Sequence, residues 1–360
     1  MQTVAMEAGQ MASSTIADQI AFWQSGESRD TSGAASSSQG PNSFIAYAPV
    51  ERNIRAKGPI KINGPATSFS EIPQPRLFRA WSSFFGGGAN FLADGGRGTP
   101  AANAGYYGGL LGVDYQIAPG VLIGAALGGS TASFSVGQFS TSGKMTGFHA
   151  GLYGSYAKGA SYVALSETFS AYSNQTNRRA GGYGFLAYEQ LDASFGSTEF
   201  RTRVEGGHSL SFAGVTATPF IAGEAAAYQS SAFSERSSLL YFSSLALKNN
   251  GQSILSLPAF VGLRVSNGYT LANGWRIVPT GSVAYVHEFF PQRQFTNALI
   301  SLPGQDFTVA GPRATYNLVQ TKVGIEINLT NQLALVSNFQ GEFSSVSQSY
   351  GGKAGVRYYW

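Results

Sequence analysis

The 360-residue chain carries 12% charged residues, about half the share of an ordinary soluble domain, together with 46 glycines and 13% aromatic residues. That balance excludes a helical bundle and an ordinary α/β enzyme. The net charge of +4 is spread over scattered basic residues, with Arg178 and Arg179 the only adjacent pair, so no surface for tracking a phosphate backbone is written here and no nucleic acid is expected. The absence of cysteine fits an oxidising compartment, although many cytosolic chains lack it too.

The N-terminal "MQTVAMEAGQ" lacks the basic start and apolar core of a signal peptide, and no run of about 18 apolar residues follows. A protein working outside the cytoplasm would then be represented here by a mature segment. Thr3 to Gln24 holds no proline and one glycine and closes on "QSG". It predicts one helix with a thin apolar stripe: Val4, Met11, Ile16, Ile20 and Trp23. At 1.5 Å per residue this helix is about 33 Å long, close to the thickness of a bilayer core. The stretch 26–75 is rich in Ser, Gly, Pro and Asn and reads as a linker or passenger remnant, after a helical segment over 1–25.

From Arg76 to Trp360 a period of two takes over. In "STEFRTRVEGGHSL", Glu199, Arg201, Arg203 and Glu205 share a face opposite Phe200, Thr202 and Val204. In "ILSLPAFVGLRV", Leu255, Leu257, Ala259, Val261, Leu263 and Val265 stand opposite Ser256, Pro258, Gly262 and Arg264. "VQTKVGIEI" sets Val319, Val323, Ile325 and Ile327 against Gln320, Lys322 and Glu326. "LALVSNFQGEF" sets Leu333, Leu335, Phe339 and Phe343 against Asn338, Gln340 and Glu342. The final "KAGVRYYW" puts Lys353 and Arg357 on one face, with Val356, Tyr358 and Trp360 on the other. A soluble sandwich also alternates, but its strands run about five or six residues. These runs are longer, as tilted strands crossing a bilayer must be.

Twelve such strands are expected, centred on Trp81, Gly109, Ala126, Leu152, Thr168, Thr202, Ala222, Val261, Val283, Val323, Phe339 and Gly355. The faces of the fifth, seventh and ninth stay open, because Glu167 and Glu224 share a face with several apolar residues. Short turns ("IAPG", "AKGA", "FAGV", "NGYTLANG", "LTNQ") alternate with connections that include the long "SNQTNRRAGGYGFLAYE", "QSSAFSERSSLLYFSSLALKNNG" and "PQRQFTNALISLPGQDFTVAGPRA". This is the pattern of an all-β, 12-stranded antiparallel up-and-down transmembrane β-barrel. Backbone groups in hydrocarbon must all be bonded, so the last strand must pair with the first. Tyr358 and Trp360 then sit at the membrane interface.

Five stretches carry a family resemblance: "FRAWSSFFGGG", "GGLLGVDYQIAPGVLIGAALGGS", "SVAYVHEFF", "LPGQDFTVAG" and "GEFSSVSQSYGGKAGVRYYW". In this order they resemble the C-terminal translocator barrel of autotransporters (type V secretion), over about residues 76–360. The resemblance implies the outer membrane of a Gram-negative bacterium and a monomer set in outer-membrane lipid. It further implies an N-terminal passenger conveyed to the cell surface, and barrel-assembly machinery and periplasmic chaperones as partners. Val356, Tyr358 and Trp360 match the family's C-terminal assembly signal. The family's pore helix corresponds here to the helical segment with Met11, Ile16, Ile20 and Trp23, with a surface or interfacial helix as the alternative. The family's helix leads directly into the first strand, whereas some fifty residues intervene here.

The lumen charges Glu199, Arg201, Arg203, Glu205, Arg264, Lys322, Glu326, Glu342, Lys353 and Arg357 are the residues expected to carry function, either as a satisfied salt-bridge network that fills the lumen or by holding the helix and hydrating the path of an unfolded passenger; one network would serve both. His149, His208 and His287 have no metal-ligand spacing, so no metal, no cofactor and no enzyme activity are expected. "GGGANFLADGGRG" has no phosphate-loop lysine and reads as a flexible extracellular loop. The alternatives are a porin-like channel without cargo and, from another class, a barrel hydrolase using His208.

Overall fold

The computed structural model describes residues 1–24, 77–182, 188–238, 245–312 and 314–360. The expected linker, 26–75, lies outside them. Twelve long strands form the wall. They are β1 (Phe78–Phe91), β2 (Ala102–Ala118), β3 (Val121–Val136), β4 (Thr141–Lys158), β5 (Ser161–Ala180) and β6 (Glu189–His208). The rest are β7 (Val215–Ser230), β8 (Gln252–Ser256 and Pro258–Asn267), β9 (Arg276–Glu288), β10 (Asn317–Asn328), β11 (Leu333–Phe343) and β12 (Ser347–Tyr359). Each expected strand centre falls inside one of them. The break in β8 has a chemical cause. Pro258 has no N–H for the ladder, and the Leu257 N–H before it goes to the Glu288 carboxylate at 2.8 Å.

Consecutive strands pair antiparallel. The ring closes where Arg79 to Phe91 of β1 meets Tyr359 to Ser347 of β12. Trp360 donates its N–H to the Phe78 carbonyl at 3.2 Å and stacks on the Phe78 ring, 5.9 Å between centroids. The last residue therefore completes the seam instead of leaving an edge.

The alternation of side chains sets what lies outside and inside. Phe84, Leu152 and Val323 are about two-thirds exposed (68%, 67% and 67%), whereas Arg201 and Lys353 are 2% and 5% exposed. A soluble protein would invert this; a bilayer requires it. The three open faces resolve in different ways. On β7 the inward face carries Glu224 together with Phe220, Ala222, Ala226 and Tyr228. On β9 Val278, Ala284, Val286 and Glu288 point inward. On β5 the outward face carries Glu167 among exposed Val163, Leu165 and Phe169. Glu167 sits between Leu152 of β4 and Thr202 of β6, and accepts the Thr202 hydroxyl at 2.7 Å.

Some connections differ from expectation. β5 and β6 are 20 residues each, twice what a bilayer needs. They rise past the membrane and absorb most of "SNQTNRRAGGYGFLAYE", leaving only 181–188 as a connection. "GGGANF" lies within β1 instead of in a flexible loop. On the long-loop side, 137–140 and 344–346 are tight connections. On the other side, Gly120 and Gly159 take φ of 81° and 61°, values open to glycine at little cost in a two-residue turn. Above the long-loop rim, Phe233–Ser234, Leu247–Asn249, Gln294–Leu299 and Asp306–Ala310 form a separate four-stranded sheet.

One helix, α1 (Gln2–Gln24), is about 35 Å long. Fourteen of its 23 residues are buried, and they lie on every face. An interfacial helix would bury one stripe only. Its partners come from around the ring: Tyr172 of β5 donates to Ala5 O, Arg201 of β6 to Met6 O, and Gln10 donates to Glu342 of β11. Lys353 of β12 reaches Asp18, and Trp23 reaches Asp114 of β2. α1 is enclosed by the barrel.

Candidate functional site

The lumen holds two charge clusters, both built by period-two alternation that aims every second side chain inward. The first lies on β6, β7 and β8. Arg201 Nε donates to Glu199 at 2.7 Å, and the same guanidinium pairs with Glu224. Arg203 pairs with Glu205 at 2.8 Å and approaches Glu224 at 3.6 Å, while Arg264 reaches Glu205 at 3.1 Å. Arg203 also stacks over Phe260 at 4.5 Å and Arg264 over Phe220 at 5.0 Å. Those rings make apolar residues compatible with a lumen face, because a guanidinium offers a flat, weakly hydrated surface.

The second cluster surrounds the seam. Arg357 pairs with Glu326. Asp18 of α1 is shared by Lys322 at 3.0 Å and Lys353 at 2.7 Å. Arg79 of β1 pairs with Asp114 and stacks over Phe22 and Trp23 at 5.4 and 5.2 Å. Asp114 also accepts from Trp81, Tyr153 and Trp23.

All ten lumen charges named from the sequence point inward, but they do not form one network. Glu342 is held by amides, Gln10 at 2.9 Å and Gln320 at 2.7 Å. Of the helix residues, Met11 accepts from Gln340 Nε2 through its sulfur at 3.1 Å, and Ile16 fills the space above Gly151. Ile20 is buried, and the Trp23 indole donates to Asp114 at 3.2 Å. Val356, Tyr358 and Trp360 are exposed on the outer face beside the short-turn rim.

Sequence reasoning missed Asp18, Arg79 and Gln19, and used Asp114 only as part of a motif. Asp18 carried one signal: it and Glu7 are the helix's two acids. Gly9, one of the small residues that suit a narrow lumen, has a specific contact. A Cβ there would overlap the Glu199 carboxyl group, so the helix seats against β6 through a residue without a side chain.

The histidines do not meet one another. His149 is buried in the lumen wall between Ser130 and Ser170, both at 2.8 Å. His208 is exposed and bonds Ser161 at 2.9 Å; His287 bonds Asn317 at 2.8 Å. Among the described residues no group of His, Asp and Glu is arranged to hold a metal ion.

A sequence model described as "Autotransporter beta-domain" matches residues 80–340. Among solved structures, the translocator domain of the autotransporter NalP from Neisseria meningitidis superposes with a TM-score of 0.60 at 16% identity, covering 79% of this chain and 88% of that one. The β domain of the Bordetella autotransporter BrkA superposes with a TM-score of 0.57 at 19% identity, covering 78% and 99%. At such identities these two show a shared fold. No curated protein sequence matches the chain.

Proposed function

The chain belongs to the autotransporter β-domain family and is an outer-membrane translocator barrel for a passenger in the same polypeptide, and we propose that α1 is the last segment of that passenger path, held in the pore by the lumen charges. One observation carries this reading. Thr3 bonds Pro312 O and Gln2 bonds Gln252, both on the long-loop side, while Trp23 meets Asp114 near the short-turn rim. Long loops face the cell exterior. Sequence placed ahead of Met1 therefore emerges at the surface.

In this reading residues 1–25 are the pore segment, 26–75 a linker, and 76–360 the translocator. Glu199 and Arg201 grip the upper helix at Gly9 and Met6, and Arg203, Glu205 and Arg264 flank it lower down, beside Ala17 and Asp18. Lys322, Glu326, Lys353 and Arg357 grip its lower half, and Glu342 holds Gln10. Val356, Tyr358 and Trp360 present the assembly signal to barrel-assembly machinery, after periplasmic chaperones deliver the chain. The barrel itself performs no chemistry on a substrate. An epitope fused ahead of Met1 should be reached by antibody on intact cells. An epitope retained in the periplasm of cells with a correctly inserted barrel refutes the reading. Removing residues 1–75 should open a large conductance; an unchanged conductance favours a cargo-free porin.

A further inference from the structure

We propose that Asp18 is a positioning residue through which α1 holds the β1–β12 seam shut, so that the barrel closes fully only around its helix. This rests on the place of α1 in the lumen and not on passenger export. The helix meets the wall in two chemically distinct ways. Toward β3, β4 and β5 it packs small and apolar side chains: Ala5, Ala8 and Ala12 are fully buried, and Ile16 sits over Gly151 of β4. Toward the seam it uses polar groups. Lys353 of β12 bonds Ser14 Oγ and Asp18, each at 2.7 Å. Arg357 of β12 donates to Gln19 Oε1 at 2.9 Å, and Arg79 of β1 donates to Gln19 O at 3.2 Å. The two seam strands are thus bound to the same helical turn.

Charge makes this contact directional. Lys322 and Lys353 share Asp18, and among the described residues neither ammonium group has another carboxylate within ion-pair distance. Lys353 stands opposite Phe85 in the β1–β12 ladder. Without the Asp18 charge, buried Lys353 on the seam strand β12 loses its counter-ion and faces half-buried Lys322 across β11. Lys353 then lets go of the helix, and because β12 and β1 share that one helical turn as their anchor, the β1–β12 ladder is the one that loosens. The same two arginines also stack on the last turn of α1, Arg79 over Phe22 and Trp23 and Arg357 over Phe22.

A helix that merely fills space makes a different prediction. Its closest backbone approaches are to β3–β5, so perturbing it would loosen that wall. Hydrogen exchange on the full chain in lipid nanodiscs separates the two. Asp18→Asn keeps the shape and removes the charge. It should raise exchange of β1 and β12 amides about tenfold while β4 and β5 amides keep their wild-type rates. The triple variant Asp18→Asn, Lys322→Met, Lys353→Met should return the seam to wild-type protection. An unchanged seam in Asp18→Asn, or an equal rise on β4 and β5, overturns the proposal. If Asp18→Asn does not assemble, the triple variant must assemble with a protected seam, and its failure to do so overturns the proposal as well. Surface display of a fused epitope is scored separately, so loss of the seam effect and loss of export remain distinguishable.

Discussion

Replacing Gly9 by valine tests how tightly the pore segment is seated. A Cβ at this position falls within the envelope of the Glu199 carboxyl carbon and both its oxygens. Glu199 is 1% exposed and holds Arg201 at 2.7 Å, and Arg201 in turn holds Glu224 and Met6 O. Swinging Glu199 aside would break a buried ion pair, at about 3–5 kcal/mol. Shifting the helix instead is an overpacking cost of about 1–3 kcal/mol, and the cheaper route is taken. Valine's better helix propensity than glycine returns about 0.5 kcal/mol. With a β-branched side chain at the upper end of the overpacking range, the plugged state loses roughly 2–3 kcal/mol, a 30- to 150-fold rise in the open-to-plugged ratio. Single-channel recording in planar bilayers reads this as occupancy of the large-conductance level. Ala17→Val is the control, because Ala17 borders open lumen space beside Asp18 and Arg203. Equal occupancies for the two variants would refute the seating argument.

Further outcomes follow from the wall itself. Glu167→Leu removes a carboxylate from a lipid-facing band and should stabilise the barrel in phospholipid vesicles by about 1–3 kcal/mol in urea titrations; destabilisation would mean that the Thr202 bond outweighs the lipid cost. Arg201→Met leaves Glu199 and Glu224 buried without their shared cation and should cost about 3–5 kcal/mol in the same titration. Deleting Trp360 removes its bond and stack on Phe78. It should slow assembly in cells, read as loss of the heat-modifiable folded band, and normal assembly would count against a recognition role for the C-terminus.

The barrel was legible because most strands separate charge from grease cleanly. In the segments Glu199–Glu205, Gln320–Glu326, Asn338–Glu342 and Lys353–Arg357 of β6, β10, β11 and β12, the charged and amide side chains share one face, and the opposite face is largely apolar. β7 resisted reading because its lumen face carries Phe220 and Tyr228, which pay their way as platforms for an arginine or as packing for the helix. β5 resisted because its lipid face carries Glu167. In both cases side chains from other strands decide which environment the residue meets. The site was legible in part for the same reason. Inward charges follow from local alternation, but Asp18 binds lysines 304 and 335 positions away, a pairing that exists only once the ring has closed around the helix. The loop lengths were misjudged because polar alternation above the membrane resembles loop composition, although β5 and β6 continue their ladder through it.

The central claim is a barrel with lipid outside and its own helix inside, and the chain's lack of cysteine makes a clean test available. Single cysteines at Leu152, Ala17 and Thr308 would carry spin labels in the protein reconstituted into bilayers, with oxygen and a water-soluble nickel chelate as collision partners; Ala17 borders open lumen space that can take the label. The account predicts that position 152 meets oxygen alone, position 308 meets the chelate freely, and position 17 shows no lipid-like oxygen signal. Chelate access at 152, or a lipid-like oxygen signal at 17, would contradict it.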